Sequence, residues 1–307
     1  MRPSSASTYL SSLAVPRTTV PAAIEWCARH GITHLEFTSS FRYHVGLADD
    51  LRAAPAEFAL LIHNYFPPPV DPFVINLASD DRGVRERSIE HCRHSIDLAA
   101  EVGAPYYSVH AGFSQDLKPS QLGGHAHIGP GASLTDAAAR FIESTRCIAE
   151  HAERRGLDVL VENNVLPRRH LVNGRNTLLL AVGANDIHAL LSGVDHPRVG
   201  LLLDVGHLKV SAAALGEDAA ELLRGLKPWV RGLHLSDNDG TTDTNDLYGE
   251  DAWFLPALPE FSAYPWVLET RPADPEETLK CLSLTEQRRH MTVPRLREDH
   301  GDQRTSH

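Results

Sequence analysis

The chain lacks a cysteine framework, a membrane-length apolar run and a strong signal peptide. Its four cysteines lie far apart in stretches of helical character and form no CxxC pair, which disfavours a disulfide scaffold and a thiolate zinc site. No apolar run approaches the roughly 20 residues that a membrane helix needs. Residues 1–15 form only a short, serine-broken apolar stretch. We therefore expect a cytoplasmic protein that has no membrane partner.

Positive charge is also scarce. Lys and Arg total 29 against 40 for Asp and Glu, which gives a formal net charge of −11. Such a surface repels a polyphosphate backbone, so no nucleic acid partner is expected. A small anionic substrate stays open, because a local Arg or a metal ion can reverse the field inside a pocket.

The organising pattern is an alternation of short apolar runs with longer helical stretches, as in a parallel sheet with crossover helices. Eight strands are predicted: Tyr9–Val15, His34–Thr38, Phe58–His63, Tyr106–His110, Val159–Asn163, Val199–Asp204, Gly232–Leu235 and Trp266–Glu269. The predicted helices are Val20–His30, Asp81–Val102, Thr135–Arg155, Asn185–Leu191, Asp218–Leu226, Ala252–Pro259 and Pro275–Leu284. Residues 41–54 have no clear pattern.

No glycine-rich dinucleotide fingerprint follows any of these strands, which disfavours an open doubly wound sheet. A closed barrel needs about 250 residues, so the 307 residues fit one barrel and a tail. We predict a single (β/α)8 TIM barrel over residues 1–285. A polar, mobile C-terminal tail is predicted over residues 286–307.

Residues that can bind a metal stand at or near the C-terminal ends of six predicted strands. They are His63, His110, Glu162, Asp204, His234 and Glu269, with His207 one turn after Asp204. In a barrel these ends converge on one mouth, where polar residues indicate catalysis. Each residue alone has a structural explanation, and Asp204 could simply cap the following turn. Three buried carboxylates at one place, however, are costly unless they are paired or bind a metal.

A site of three carboxylates and one imidazole suits Mn²⁺, Mg²⁺ or Co²⁺, with Zn²⁺ as a further option. The metal would polarise a carbonyl, and two of the carboxylates could act as general acid and base.

The segments VLVENN (159–164), LLLDVGH (201–207), LHLSDNDG (233–240) and VLET (267–270), supported by VHAG (109–112), resemble the xylose isomerase-like TIM-barrel superfamily. This group includes sugar isomerases, ketose 3-epimerases and endonuclease IV. The resemblance to its epimerases implies Glu162, Asp204, His234 and Glu269 as ligands of one metal ion. It also implies Glu162 and Glu269 as the acid–base pair and His207 as a substrate contact.

Endonuclease IV, of the same superfamily, holds a larger metal cluster. The resemblance implies His63 and His110 as ligands of a second metal, or otherwise as substrate contacts. Asp243 matches the Asp of a later DxH pair, but Asn245 stands where that pair has His. Because Asn is a poor zinc ligand, a full three-metal site is not expected.

Three other features have a functional and a structural interpretation. Asn64 and Tyr65 could contact sugar hydroxyls or belong to a rigid loop. Arg271 could bind a phosphate or carboxylate, or support a metal ligand. The His125/His127 pair has metal-like spacing but lies in a glycine-rich loop, and we interpret it as non-ligating.

The sequence therefore predicts a metal-dependent sugar or sugar-phosphate isomerase or epimerase that acts through an enediolate. The alternatives are a lyase or dehydratase of the same superfamily, an endonuclease IV-like phosphodiesterase and a non-catalytic sugar-binding barrel. A homodimer is compatible with the fold family, but no interface is readable.

Overall fold

The computed structural model describes residues 6–17, 19–121, 133–271 and 274–291. In this part of the chain eight parallel strands form a closed barrel in sequence order, and the first strand pairs with the last. They are β1 (Thr8–Ser11), β2 (His34–Phe37), β3 (Ala59–His63), β4 (Tyr106–His110), β5 (Asp158–Glu162), β6 (Val199–Asp204), β7 (Val230–Leu235) and β8 (Trp266–Leu268). The predicted single (β/α)8 barrel is confirmed.

Helices connect the strands. They are α1 (Val20–Arg29), α2 (Leu47–Arg52), α3 (Arg82–Glu101), α4 (Leu134–Arg155), α5 (Ala184–Val194), α6 (Val205–Leu215), α7 (Ala219–Leu226) and α8 (Pro275–Arg289). In α4, Ala137, Phe141, Ile148 and Ala152 are buried at spacings that place them on one face. Burial of such apolar faces against the strands stabilises the barrel.

One predicted helix is wrong. The helix predicted over Ala252–Pro259 is replaced by turns and a short 3-10 helix, Leu258–Phe261. Pro256 and Pro259 explain this, because proline has no N–H for a helical hydrogen bond. The structure also contains α6, which is absent from the predicted helices; its N-cap Asp204 accepts a hydrogen bond from the His207 N–H, as the capping interpretation expects.

The helix predicted over Pro275–Leu284 is longer in the structure, where α8 continues to Arg289. The Arg289 guanidinium is buried and donates hydrogen bonds to the carbonyl oxygens of Ser7, Ser262 and Tyr264. The last helical turn therefore belongs to the barrel, while residues 292–307 of the predicted tail lie outside the described residues. None of the helices in the described ranges combines the length and apolar character that a membrane crossing requires.

Candidate metal centre

Four of the predicted site residues meet at the C-terminal mouth of the barrel. Glu162 ends β5, Asp204 ends β6, His234 lies in β7 and Glu269 directly follows β8. One ligand atom from each lies within 4.8 Å of those of the other three, and all four residues are buried. The structure thus brings together the whole set predicted to hold one metal.

His234 lies among the three carboxylates. Its Nδ1 is 2.7 Å from Oε2 of Glu269, 3.2 Å from Oε1 of Glu162 and 3.8 Å from Oδ2 of Asp204. Both carboxylate oxygens of Glu162 and Oδ2 of Asp204 are buried without a hydrogen bond from any described residue. Buried carboxylate oxygens need a cation or a donor to offset their lost hydration. Together with the imidazole, they fit a divalent ion that accepts oxygen and nitrogen ligands.

The electrostatics of the group agree with this fit. Burial raises the pKa of Asp204 to about 7, against the opposing charge of His207. At Glu162 burial also acts to raise the pKa, but the charges of neighbouring histidines outweigh it and hold the pKa well below its usual range. A divalent cation at this place would favour the ionised form of each carboxylate.

Asp204 has two roles in this geometry. Its Oδ1 accepts the His207 N–H at 2.7 Å and caps α6, while Oδ2 faces the cluster. The Asn163 side chain fixes the same strand end: its Oδ1 accepts from the Asp204 N–H at 2.8 Å, and its Nδ2 donates to the Asp204 carbonyl at 3.1 Å. The capping and ligand interpretations of Asp204 are therefore compatible.

Glu36 is a site residue that the sequence reasoning missed. It lies in β2 without solvent exposure, and its Oε1 is 3.2 Å from Nε2 of His234. Burial raises its pKa, against the charge of His234. The sequence signal is a Glu between Leu35 and Phe37 in a predicted strand, because a glutamate is almost never fully buried without a partner.

A second group of possible ligands adjoins the first. Nε2 of His63 and Nδ1 of His110 each lie 3.4 Å from Oε2 of Glu162, and the three residues form a cluster that could hold an ion. Burial lowers the pKa of His63 to about 3, so its imidazole is neutral at physiological pH and able to ligate. Glu162 is shared by both groups.

His207 and Asp243 lie on the other side of Glu162. Nδ1 of His207 donates to the Asn163 carbonyl at 2.8 Å, which leaves Nε2 facing Oδ2 of Asp243 at 3.3 Å. Burial lowers the pKa of His207, but the charges of Asp204 and Asp243 outweigh burial and raise it well above its usual value.

The remaining predicted residues lie further out. Asn64 lines a cavity beside the cluster and has a positive φ of 46°. The Tyr65 hydroxyl accepts the Phe73 N–H at 2.7 Å, so it is engaged in holding a loop. Exposed Arg271 donates from Nε to the Thr244 carbonyl at 2.9 Å and does not line that cavity. His125 and His127 lie outside the described residues.

Comparison with known proteins places the chain in a family. The family model described as a xylose isomerase-like TIM barrel matches residues 24–278. The fructoselysine 3-epimerase of Shigella flexneri is 24% identical over 185 residues, which make up 60% of this chain and 57% of that relative. The match thus spans little more than half of the curated relative.

Solved structures share the fold at low identity. A D-tagatose 3-epimerase-like protein has a TM-score of 0.70 at 18% identity, covering 92% of this chain and 96% of that one. The 3-keto-D-glucoside 4-epimerase from E. coli has a TM-score of 0.65 at 15% identity, covering 91% and 98%. At such identity the likeness shows the fold alone.

Proposed function

Because the chain belongs to the xylose isomerase-like TIM-barrel family, we propose that it is a divalent-metal-dependent sugar isomerase or epimerase. The observation that carries the proposal is the buried four-residue group formed by Glu162, Asp204, His234 and Glu269. In this proposal the four residues hold one Mn²⁺, Co²⁺, Mg²⁺ or Zn²⁺ ion. The fructoselysine, tagatose-type and keto-glucoside epimerases among the similar proteins support a sugar as the substrate.

The reaction we propose is proton transfer at a carbon next to a carbonyl. A bound divalent ion would act as a Lewis acid that polarises this carbonyl. Glu162 and Glu269 come from β5 and β8, so they approach a substrate in the mouth from different directions. One carboxylate removes the proton, and the other returns a proton to the opposite face of the enediolate, which inverts that carbon. Return of the proton to the neighbouring carbon of the enediolate would give an isomer instead of an epimer.

The test uses metal-loaded protein incubated with a panel of ketoses in D₂O. We expect deuterium to enter at the carbon next to the carbonyl, together with an epimeric or isomeric product. Glu162→Gln and Glu269→Gln should each lower this exchange by about 10²–10⁴-fold, the usual contribution of a general acid or base. Glu260→Gln, which removes an exposed ion pair with Lys227, is the control and should keep full exchange.

Metal content is measured in each of these variants, because both glutamates are also proposed ligands. A variant that retains its metal but loses exchange supports the proton-transfer role. Full exchange in metal-replete Glu162→Gln or Glu269→Gln would refute the proposal.

One observation favours a second candidate, an endonuclease IV-like two-metal phosphodiesterase. It is the adjoining group of His63, His110 and Glu162, which could hold a second ion. Elemental analysis of purified protein distinguishes the two: the epimerase proposal expects about one metal per chain, and the phosphodiesterase two or more. In the second case His110→Gln should remove one ion and leave the other. The formal net charge of −11 disfavours a DNA substrate, because it repels the phosphate backbone.

A cytoplasmic location and a homodimer complete the proposal. The location rests on the sequence, in which no apolar run reaches the length of a membrane helix. The homodimer rests on the fold family alone, and sedimentation velocity of the purified chain tests it.

A further inference from the structure

A cavity of about 500 Å³ opens beside the proposed metal centre. Its inner side is formed by His110, His207 and Asp243, and Asn64 also lines it. His110 and His207 lie within 3.6 Å of Glu162, so a substrate in this cavity adjoins a proposed catalytic carboxylate. Its volume is in the range of small-molecule sites.

Part of the cavity lining forms an apolar wall, while Ser39 and Asn164 add polar groups elsewhere in the lining. Phe73 and Ile75 come from the β3–α3 connection, Phe113 from the β4–α4 connection and Val165 from the β5–α5 connection. All except Ile75 are partly exposed, so apolar surface faces the cavity. Sugar hydroxyls form no hydrogen bonds with such a wall. An apolar group of a ligand would cover the wall and remove its apolar surface from water, which favours binding.

This wall is held in place by contacts outside the cavity. The Arg87 guanidinium lies 4.1 Å from the centre of the Phe73 ring, and the Phe73 N–H donates to the Tyr65 hydroxyl. The Phe113 N–H donates to Oδ1 of Asn76 at 3.0 Å. A wall fixed in advance loses little conformational entropy when a ligand binds.

The charge of the cavity disfavours a phosphate. Among described residues its lining has no Lys or Arg, and residues 122–132 between Gln121 and Ser133 include neither residue type in the sequence. The N-terminus of α6 is already capped by Asp204. Phosphate sites normally use Arg, Lys or free helix N-termini. His207 also lines the cavity, but its Nε2 lies 3.3 Å from the Asp243 carboxylate. The three carboxylates around the proposed divalent ion offset its charge, so no excess of positive charge is left to bind a dianion.

From these observations we infer that the substrate is an uncharged keto sugar with an apolar substituent, which the wall of Phe73, Ile75, Phe113 and Val165 receives. The inference rests on the proposed function, since it assumes that the carbonyl end of the sugar lies at the metal centre. It narrows that proposal by excluding sugar phosphates and by making a plain ketose a poor substrate.

The experiment compares matched compounds with metal-loaded enzyme. Each ketohexose is tested as the free sugar, as its 1- and 6-phosphates and as its 1- and 6-O-benzyl ethers, with deuterium exchange as the readout. For at least one ketose we expect kcat/KM of a benzyl ether to exceed that of the free sugar by about tenfold or more. The phosphates should be at least tenfold poorer than the free sugar. A preferred phosphate, or free sugars equal to their ethers, would overturn the inference while leaving the proposed function intact.

Binding without reaction separates the two failures. 6-O-Benzyl-sorbitol and 1-O-benzyl-sorbitol have no carbonyl, so their affinity, measured by calorimetry against sorbitol, does not depend on turnover. At least one ether should bind about tenfold more tightly than sorbitol. If no ketose takes up deuterium but an ether binds about tenfold more tightly than sorbitol, the proposed reaction is wrong and the apolar subsite stands. If sorbitol and both ethers bind equally, the apolar subsite is refuted.

Variants locate the effect. Phe73→Ala should lower the ratio of ether to free-sugar affinity by about tenfold, and Val165→Ala by about threefold, because each removes apolar contact area. Val172→Ala is a matched control at an exposed valine outside the cavity, and its ratio should equal that of wild type. Ratios unchanged in both cavity variants would contradict this placement of the substituent.

Discussion

Oε1 of Glu36 lies 3.2 Å from Nε2 of His234, and neither side chain is exposed to solvent. The other ring nitrogen of His234, Nδ1, faces the carboxylates of Glu162 and Glu269. A carboxylate behind a ligating histidine fixes the tautomer and orientation of the ring. The hydrogen bond joins Nε2 to Oε2 of Glu36 at 3.3 Å. In the proposed metal site Glu36 would therefore hold the proton on Nε2 and leave Nδ1 for the ion.

Glu36→Gln should weaken metal binding by about 10–100-fold, the usual cost of removing such a supporting carboxylate. Competition with a chromogenic chelator measures the affinity. Asp186→Asn is the control, since Asp186 in α5 is a half-buried carboxylate that accepts the N–H groups of Val182 and Gly183, just before the helix. It should lower stability but not metal affinity. Unchanged metal affinity in Glu36→Gln would exclude the orienting role.

Gly206 allows the β6–α6 turn to approach β7 closely. A Cβ on Gly206 would lie 2.7 Å from Oγ of Ser236 and 3.2 Å from Oδ1 of Asp204. We expect Gly206→Ala to lower the free energy of unfolding by about 1–3 kcal/mol, as overpacking does. It should also weaken metal binding, because Asp204 must move. Urea unfolding and the chelator assay measure the two effects.

Gly225→Ala is the control for this prediction. Gly225 lies in α7, and a Cβ there meets nothing within 4 Å. Alanine should raise the stability of this helix by about 0.5–1 kcal/mol. Equal stability changes in the two variants would contradict the steric argument.

His91 makes the fold sensitive to acid. His91 lies in α3 and packs against the Tyr65 and Phe73 rings, and this burial lowers its pKa to about 4. The unfolded chain binds a proton near the ordinary pKa of about 6.5, so stability falls as pH drops from that value toward 4. His91→Phe should remove about 2 kcal/mol of the stability loss between pH 7 and pH 5. Urea unfolding at both pH values measures this, and exposed His290→Asn should keep the wild-type loss.

Arg289 connects the last helix to the junction of β1 and β8. Besides its three carbonyl contacts, its Nε donates to Oγ1 of Thr8, and its guanidinium lies 3.9 Å from the centre of the Trp266 ring. A chain that ends at residue 285 loses these contacts and should melt at a much lower temperature. A chain that ends at Met291 retains them and should melt within a few degrees of the full chain. Equal melting temperatures for both truncations would contradict the stabilising role of Arg289.

The strand ends could be predicted from sequence because their signal is local. Glu162, Asp204 and Glu269 are each a single carboxylate after an apolar run. The parallel strands of a barrel bring such strand ends together at one mouth. Local pattern failed where two prolines stop a helix over residues 252–259. It also failed at α6, where Gly206 and His207 interrupt the apolar pattern although the helix continues.

Which residues touch depends on closure of the barrel. Glu36 and His234 are separated by 198 positions, and their contact exists only because the eight strands close into one ring and both side chains point inward. Strand register decides this, since each residue along a strand points to the face opposite its neighbour's. The apolar cavity wall likewise combines three separate connections. The sequence by itself determined the order of the strands and the polar residues at their ends. Only the tertiary structure decided the partner of His234 and the lining of the cavity, because contacts between distant residues leave no local pattern in the sequence.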